Sequence, residues 1–372
     1  DDLSEVLHAA GYEIFYWDTH RMADHDLGYV QAAGYATDRL PYPQTPEFLL
    51  ALDKLSEDPS AKLAVFAAFS VTHSPYDPTV LESLKLKHPS HSLTRMDPST
   101  FDRLYDLYLK NTLPLSTRYE RTVATLGLTA EDEVNLAIML DGLYSANIDR
   151  LDLLFRGLLD QIDQRRLRDD SLIIFTADHG ESMNEAKSNT RWNHAGTLRT
   201  EVLTVPWLIA GSAVVPGSYE FVTRSIDVAP TVAGLIGLNG SPQWQGVNLA
   251  PVLRGEAAPP RLVAYSRRAG VAAGGDPADQ KFHNAWAAVR DRNLIAKYRR
   301  LDGILGYRVY DVSSDPEEMN DILDFTNPRH VELVHALKCY RVKLWRAYRE
   351  HYTRTAVPED AEETLRSLGY IE

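Results

Sequence analysis

Apolar and polar positions alternate with two different periods along this chain, and the switches between them mark its elements. Leu3, Val6, Leu7 and Ala10 recur at helical spacing, Gly11 closes that helix, and Ile14 to Trp17 follows as a strand. Pro41 to Leu55 opens with turn residues and continues as a helix, which Asp58-Pro59-Ser60 breaks. Ala64 to Phe69 is uniformly apolar, the signature of a strand buried on both faces. A long helix begins at Thr129 and carries Leu140, Tyr144, Ile148, Leu151, Phe155, Leu158 and Ile162 as a core stripe. Leu172 to Thr176 and Val205 to Ala210 are two further apolar runs, the first read as a buried strand of a parallel sheet.

The remaining segments complete the plan. Residues 79–130 are charged and loop-rich, with Lys85, Lys87, His88 and His91 close together, and read as an excursion over a site mouth or as solvated surface. Asp227 starts a helix that ends near Gly237, with Pro230 in its first turn. Leu262 to Tyr265, Asn284 to Arg290, Asn293 to Arg299 and Arg308 to Val312 alternate well enough for a small antiparallel sheet. A helix from about Pro328 to His351 and a closing segment at Glu362 to Gly369 follow. The expected fold class is α/β: a mostly parallel central sheet flanked by helices, with a small C-terminal antiparallel sheet and helix. Residues 1–240 form the main domain, 241–260 a Gly- and Pro-bearing linker, and 261–372 a small α+β subdomain.

Composition narrows the function. The net charge of −13 argues against a nucleic-acid partner, which needs a basic face, but leaves room for an anionic substrate held by a local positive site. One cysteine, Cys339, supports neither an internal disulfide nor a thiolate metal site. There is no apolar run long enough for a membrane span and no signal-peptide pattern at Asp1-Asp2-Leu3-Ser4-Glu5. Asp1 and Asp2 are read as helix N-terminal acids favoured by the dipole.

The candidate chemistry gathers at strand ends. The run to Thr176 stops at Ala177-Asp178-His179-Gly180-Glu181, and in open α/β sheets ligands bind at the carboxyl ends of strands. Asp178 and His179 offer one hard oxygen and one imidazole nitrogen, a pairing that holds a divalent cation if other ligands complete the shell; the alternative is a turn cap and a histidine bonded to a backbone carbonyl. His194 follows fifteen residues after His179, and His73 leaves the Ala64–Phe69 strand. His20, Asp24, His25 and Asp26 read as a surface loop, Arg224 as a salt-bridge partner, and Glu181 as a supporting residue.

These pieces together resemble the sulfatase family of the alkaline phosphatase superfamily. Asp178-His179-Gly180-Glu181, then His194-Ala195-Gly196-Thr197-Leu198 and Val205-Pro206, is similar to the family's second metal-binding segment. Gly11-Tyr12, Phe69 to Pro78, Tyr144 to Asp152, Arg224 to Thr231, Tyr310 to Glu318 and Leu365 to Ile371 resemble further family segments in the expected order.

The resemblance implies a metal-dependent hydrolase of sulfate esters. It implies Asp178 and His179 as metal ligands, His194 and His73 as catalytic residues that hydrogen-bond the ester or protonate the leaving oxygen, and Lys187 as a substrate contact. It implies one divalent cation, with calcium first and manganese or zinc as alternatives. In the family, the first metal-binding aspartates and the residue that becomes formylglycine lie upstream of the segment matched at Gly11. No formylglycine position occurs in this chain, and the expectation is that it does not turn over alone. Two other readings stay open: a phosphodiesterase or phosphoethanolamine-type transferase of the same superfamily, and a non-catalytic binding remnant. Family resemblance alone points to export or membrane anchoring through an upstream segment; oligomeric state is left open.

Overall fold

The computed structural model describes residues 2–18, 35–36, 46–110, 127–183, 191–192, 194, 198–268, 286–301 and 304–351. Helix α1 (Leu3–Ala9) begins where Asp2 caps it: the Asp2 carboxylate accepts the Glu5 N–H at 2.9 Å, and the Glu5 carboxylate accepts the Asp2 N–H at 2.9 Å. Strand β1 (Glu13–Asp18) follows, then β2 (Tyr35–Ala36), helix α2 (Pro46–Glu57) and β3 (Leu63–Ala68). These strands form a parallel sheet in the order β2-β1-β3, with Glu13 opposite Leu63 and Asp18 opposite Ala68. Helix α2 covers it by packing Phe48, Ala51 and Leu52 on Phe15, with the Phe15 and Phe48 rings edge to face at 6.2 Å.

The charged stretch 79–130 is not a bare excursion. It contains α3 (Leu81–Lys87) and α4 (Pro98–Lys110), and Leu84, Leu93, Phe101, Leu104 and Tyr108 are buried with Tyr76 and Val80 in one apolar cluster. The opposing wall is the first half of the long helix α5 (Ala130–Gln164), through Leu136, Met139, Leu140 and Leu143. Thr129 and Asp132 cap this helix reciprocally. His88 and His91 bond α5 through Asp149 at 2.8 Å and Asp141 at 3.2 Å, so the basic cluster serves packing. The predicted core stripe of α5 needs one correction: Ile148 is 44% exposed. The helix changes partner along its length, from this cluster to the sheet side, where Leu158 meets α2 and Phe155 lies 5.4 Å from Phe175.

Strand β4 (Ile173–Thr176), helix α6 (Thr200–Leu203) and strand β5 (Trp207–Ala210) form a hairpin-like return. Here the sequence reading of a parallel strand is corrected: β4 pairs antiparallel with β5, Ile173 opposite Ala210 and Thr176 opposite Trp207. The chain doubles back through α6, so the two strands run in opposite senses. Helix α7 (Val228–Leu235) starts at Asp227, whose fully buried carboxylate takes the Arg224 guanidinium and the Val247 N–H. The 241–260 stretch carries α8 (Ala250–Leu253), and Ala250 and Leu253 are buried with Leu235 against Leu172 and Ile209.

The last strands, β6 (Ala264–Arg268), β7 (Trp286–Asp291), β8 (Leu294–Leu301) and β9 (Ile304–Asp311), form an antiparallel meander, as their alternation predicts. Helix α9 (Pro328–His351) packs Leu333, Val334 and Leu337 on Ala287, Val289, Ala296 and Val309. The intervening positions Ala288, Ile295 and Tyr310 face the other way and bury Leu198 and Leu203. The sheet therefore has two covered faces. The closing segment 362–369 lies outside the described residues.

Asp291, at the end of β7, is buried and takes Arg261 Nη2 at 2.7 Å together with Arg329 of α9. The Arg261 hydrogen bond, then that of Arg329, holds its carboxyl below the usual aspartate range. Asp291→Asn is expected to cost about 1–3 kcal/mol at neutral pH. A lowered carboxyl pKa contributes stability above the ordinary value of about 3.9, and that contribution is lost as pH falls through the lowered value. Denaturant unfolding of wild type and variant at pH 7 and at successively lower pH checks this, with the gap between them closing only below pH of about 4.

Candidate active site

Three histidines meet where the chain leaves its strands. His73 stands five residues beyond the end of β3, and His179 stands three residues beyond the end of β4. His194 comes from the connection that leads to α6. The His179 and His194 rings stack with centroids 3.7 Å apart at 26°, and His73 meets His194 edge to face at 5.6 Å. The topology thus brings together residues from two sheets and a loop.

Each ring is held by a local bond. His73 Nδ1 donates to the Ser74 carbonyl at 2.5 Å, and His179 Nδ1 donates to the Gly180 carbonyl at 2.9 Å. His194 Nδ1 lies 3.4 Å from Glu181 Oε2, and both side chains are only 9% exposed. Glu181 is the residue whose weight the sequence understated. Its Oε1 is buried with no hydrogen-bond partner among the described residues. Burial first, and then the charge of Glu181, pushes the hydroxyls of Tyr76 and Tyr144 up in pKa, so both phenols stay neutral. The Tyr76 and Tyr144 rings meet edge to face at 5.4 Å, and Tyr76 is fully buried. The legible signal for Tyr76 was its place two residues after Ser74-Pro75's start, directly downstream of His73.

Asp178 differs from these residues in being open to solvent, its side chain 77% exposed. Oδ1 accepts the His179 N–H at 3.0 Å, and Oδ2 lies 3.5 Å from His179 Nε2. The turn-cap and carbonyl-bonded features expected of a structural Asp-His pair are therefore both present. They are also compatible with ligation, since a carbonyl on Nδ1 orients Nε2 toward the carboxylate. The donors suit a divalent cation in kind, but not in number. No group of three or more His, Cys, Asp or Glu side chains among the described residues converges as a metal ion requires. Lys187, like His20, Asp24, His25 and Asp26, lies outside the described residues.

Close backbone contact fixes the Asp178–Glu181 turn. The Gly180 N–H donates to the Val202 carbonyl at 2.8 Å, and a Cβ at position 180 would stand 2.0 Å from the Glu201 carbonyl oxygen. Arg199 reaches the Glu201 carboxylate, which also accepts the buried Ser182 hydroxyl at 3.2 Å. Four residues after β4 are thus pressed against α6.

The described residues combine an α/β core, a histidine cluster beyond the strand ends and a four-stranded antiparallel sheet. The sulfatase family model matches residues 2–238, and the chain belongs to the sulfatase family. A choline-sulfatase of Rhizobium meliloti is 31% identical over 191 residues, which is 50% of this chain and 33% of that protein. An endo-4-O-sulfatase of Bacteroides thetaiotaomicron is 26% identical over 174 residues, 46% of this chain and 32% of that protein. The aligned stretch spans about a third of these relatives. A solved putative sulfatase from Bacteroides thetaiotaomicron superposes with a TM-score of 0.60 at 17% identity, covering 96% of this chain and 77% of that one. A phosphonate monoester hydrolase of Agrobacterium radiobacter does so at 0.55 and 17%, covering 97% and 83%. At these identities the solved structures show the fold.

Gly180→Ala tests the close contact. The added methyl meets backbone that cannot swing aside, so a loss of about 1–3 kcal/mol is expected, read by denaturant unfolding. The imidazole C2–H resonances of His179 and His194 should move with it, because the turn that stacks them is displaced.

Proposed function

We propose that this chain supplies the histidine-bearing part of the active site of a hydrolase acting on sulfate esters. The observation that carries the reading is the stacked His179 and His194 pair beside Asp178 at the end of β4, within the segment matched by the sulfatase family model. The choline-sulfatase relative supports the same ester chemistry.

In this reading Asp178 and His179 are two ligands of a divalent cation whose other ligands lie outside the described residues. Calcium is first choice because the remaining shell is expected to be carboxylate-rich; manganese and zinc are the alternatives. When bound, the cation supplies charge stabilisation to the ester oxygens. The chain's own residues do the rest. Glu181 takes the Nδ1–H of His194 and so selects the tautomer whose Nε2 exchanges a proton with substrate. His73, edge-on to the same ring, is the second imidazole within reach of the ester or its leaving oxygen. Lys187 is kept as a contact to the anionic group. The attacking nucleophile is assigned to none of the described residues.

A second reading keeps the site and changes the ester to a phosphate or phosphonate. The cluster of imidazoles suits it, and the fold shared with a phosphonate monoester hydrolase supports keeping it. A non-catalytic binding role is the third. No described helix is long and apolar enough to cross a membrane.

The test uses the full-length natural protein with divalent cation, against aryl sulfates, phosphate monoesters and diesters, and phosphonate monoesters. Sulfate turnover is expected, abolished by chelation and restored by calcium. His194→Ala should lower kcat about 10²–10⁴-fold, the usual size of a lost proton-transfer group. Turnover of phosphorus esters alone establishes the second reading, and ligand binding without any turnover establishes the third.

A further inference from the structure

The most deeply buried ion pair in the described residues sits far from the histidines in sequence. Lys297 of β8 and Glu318, in the turn after β9, bond each other directly with both side chains at most 1% exposed. Burying two charges is expensive, and such a pair is often no more stable than apolar residues of the same volume. Its presence therefore calls for a role other than stability.

The backbone adds to that cost. Glu318 lies at φ +52, in the left-handed region that a side chain with a Cβ rarely adopts. The turn that holds it there is built by Asp315, whose carbonyl accepts the Glu318 N–H at 3.0 Å and whose carboxylate accepts the N–H groups of Met319 and Asn320. The strain turns the Glu318 carboxylate inward, onto α6.

What it meets there is the first residue of that helix. Glu318 Oε1 accepts the Thr200 N–H at 2.8 Å and the Thr200 hydroxyl at 2.7 Å, while Oε2 takes Lys297. Beside it, Arg199 Nη2 donates to the Glu317 carbonyl at 2.7 Å, and Arg290 of β7 reaches the Thr204 hydroxyl at 3.2 Å. Ala288, Ile295 and Tyr310 of the sheet close over Leu198 and Leu203. The whole 198–204 segment is thus clamped to the C-terminal sheet by charge, hydrogen bonds and apolar contact. That segment carries the Val202 carbonyl and Glu201 carboxylate that hold Gly180 and Ser182, and it begins four residues after His194.

We propose that Glu318, seated by Lys297, is a positioning residue for the His179–His194 pair: the C-terminal sheet sets where α6 lies, and α6 sets the turn that bears His179. The inference rests on the site reading above for its catalytic consequence, but its structural part stands apart from it. Arg299, Arg290, Glu201 and Arg199 are the charged groups set around the pair. Neither Lys297 nor Glu318 touches the histidines, so removal of the pair acts on them only through Thr200 and its neighbours.

Two double variants of the full-length protein separate positioning from folding. Lys297→Met with Glu318→Leu removes both buried charges and the acceptor for Thr200. Lys297→Met with Glu318→Gln removes both charges and keeps an acceptor. Each is read by its melting temperature, by the C2–H resonances of His179 and His194, and by kcat and KM on an aryl sulfate. The expected result is a folded leucine variant with displaced histidine resonances and kcat lowered at least tenfold, KM moving less, and a glutamine variant that recovers most of both. The proposal is overturned if the leucine variant keeps wild-type resonances, or if both variants lose kcat in step with melting temperature. Asp291→Asn, on the same sheet but away from α6, serves as the control that lowers stability without moving the histidines. Should the wild type hydrolyse no ester, the functional reading falls while the resonances still decide the positioning.

Discussion

Everything near the site depends on one contact between two stretches of backbone, the bond from the Gly180 N–H to the Val202 carbonyl. It is possible because position 180 has no side chain, since the Glu201 carbonyl occupies the space a Cβ would take. The chain leaves β4, is caught by α6 within four residues, and has no freedom left when it presents His179. His179, one residue before that contact, stacks on His194 with ring centroids 3.7 Å apart.

The buried charges explain how a small antiparallel sheet governs a site it does not enter. Asp227, Asp291 and the Lys297–Glu318 pair each join segments that the sequence keeps apart, and each is hydrogen-bonded at more than one atom. Burial pushes the Lys297 amine down to about 8, with the Glu318 charge opposing that fall. Coulombic attraction and hydrogen bonds from Lys297 then outweigh burial at Glu318 and keep its carboxyl below the usual range. Surface pairs such as Arg156–Asp152, exposed on both sides, contribute little by comparison. A charge excluded from water must keep its partner, so these pairs act as locks on geometry in a way exposed pairs do not.

The family match covers residues 2–238, whereas the contacts that seat α6 come from residues 288–318. The region beyond the matched segment is therefore part of how the site is built.

Local pattern determined much of this protein. The capped helix at Asp2, the alternation of β6 to β9, the helix from Pro328 to His351 and the apolar runs that end at Thr176 and Ala210 are set by nearest-neighbour physics, and each is readable from spacing and caps. The Asp178-His179-Gly180-Glu181 stop was readable too, as an abrupt end to an apolar run. Tertiary structure decided the rest. It set the antiparallel sense of β4 and β5, because a run of apolar residues is the same in either direction. It exposed Ile148, because a long helix changes partner along its length. It drew residues 79–110 into a core, because their few large apolar side chains needed the far side of α5. It also placed Glu181 against His194 and Glu318 against Thr200, pairings separated by 13 and 118 residues that no local pattern encodes. Periodicity records which face of an element is buried; only packing chooses what it is buried against.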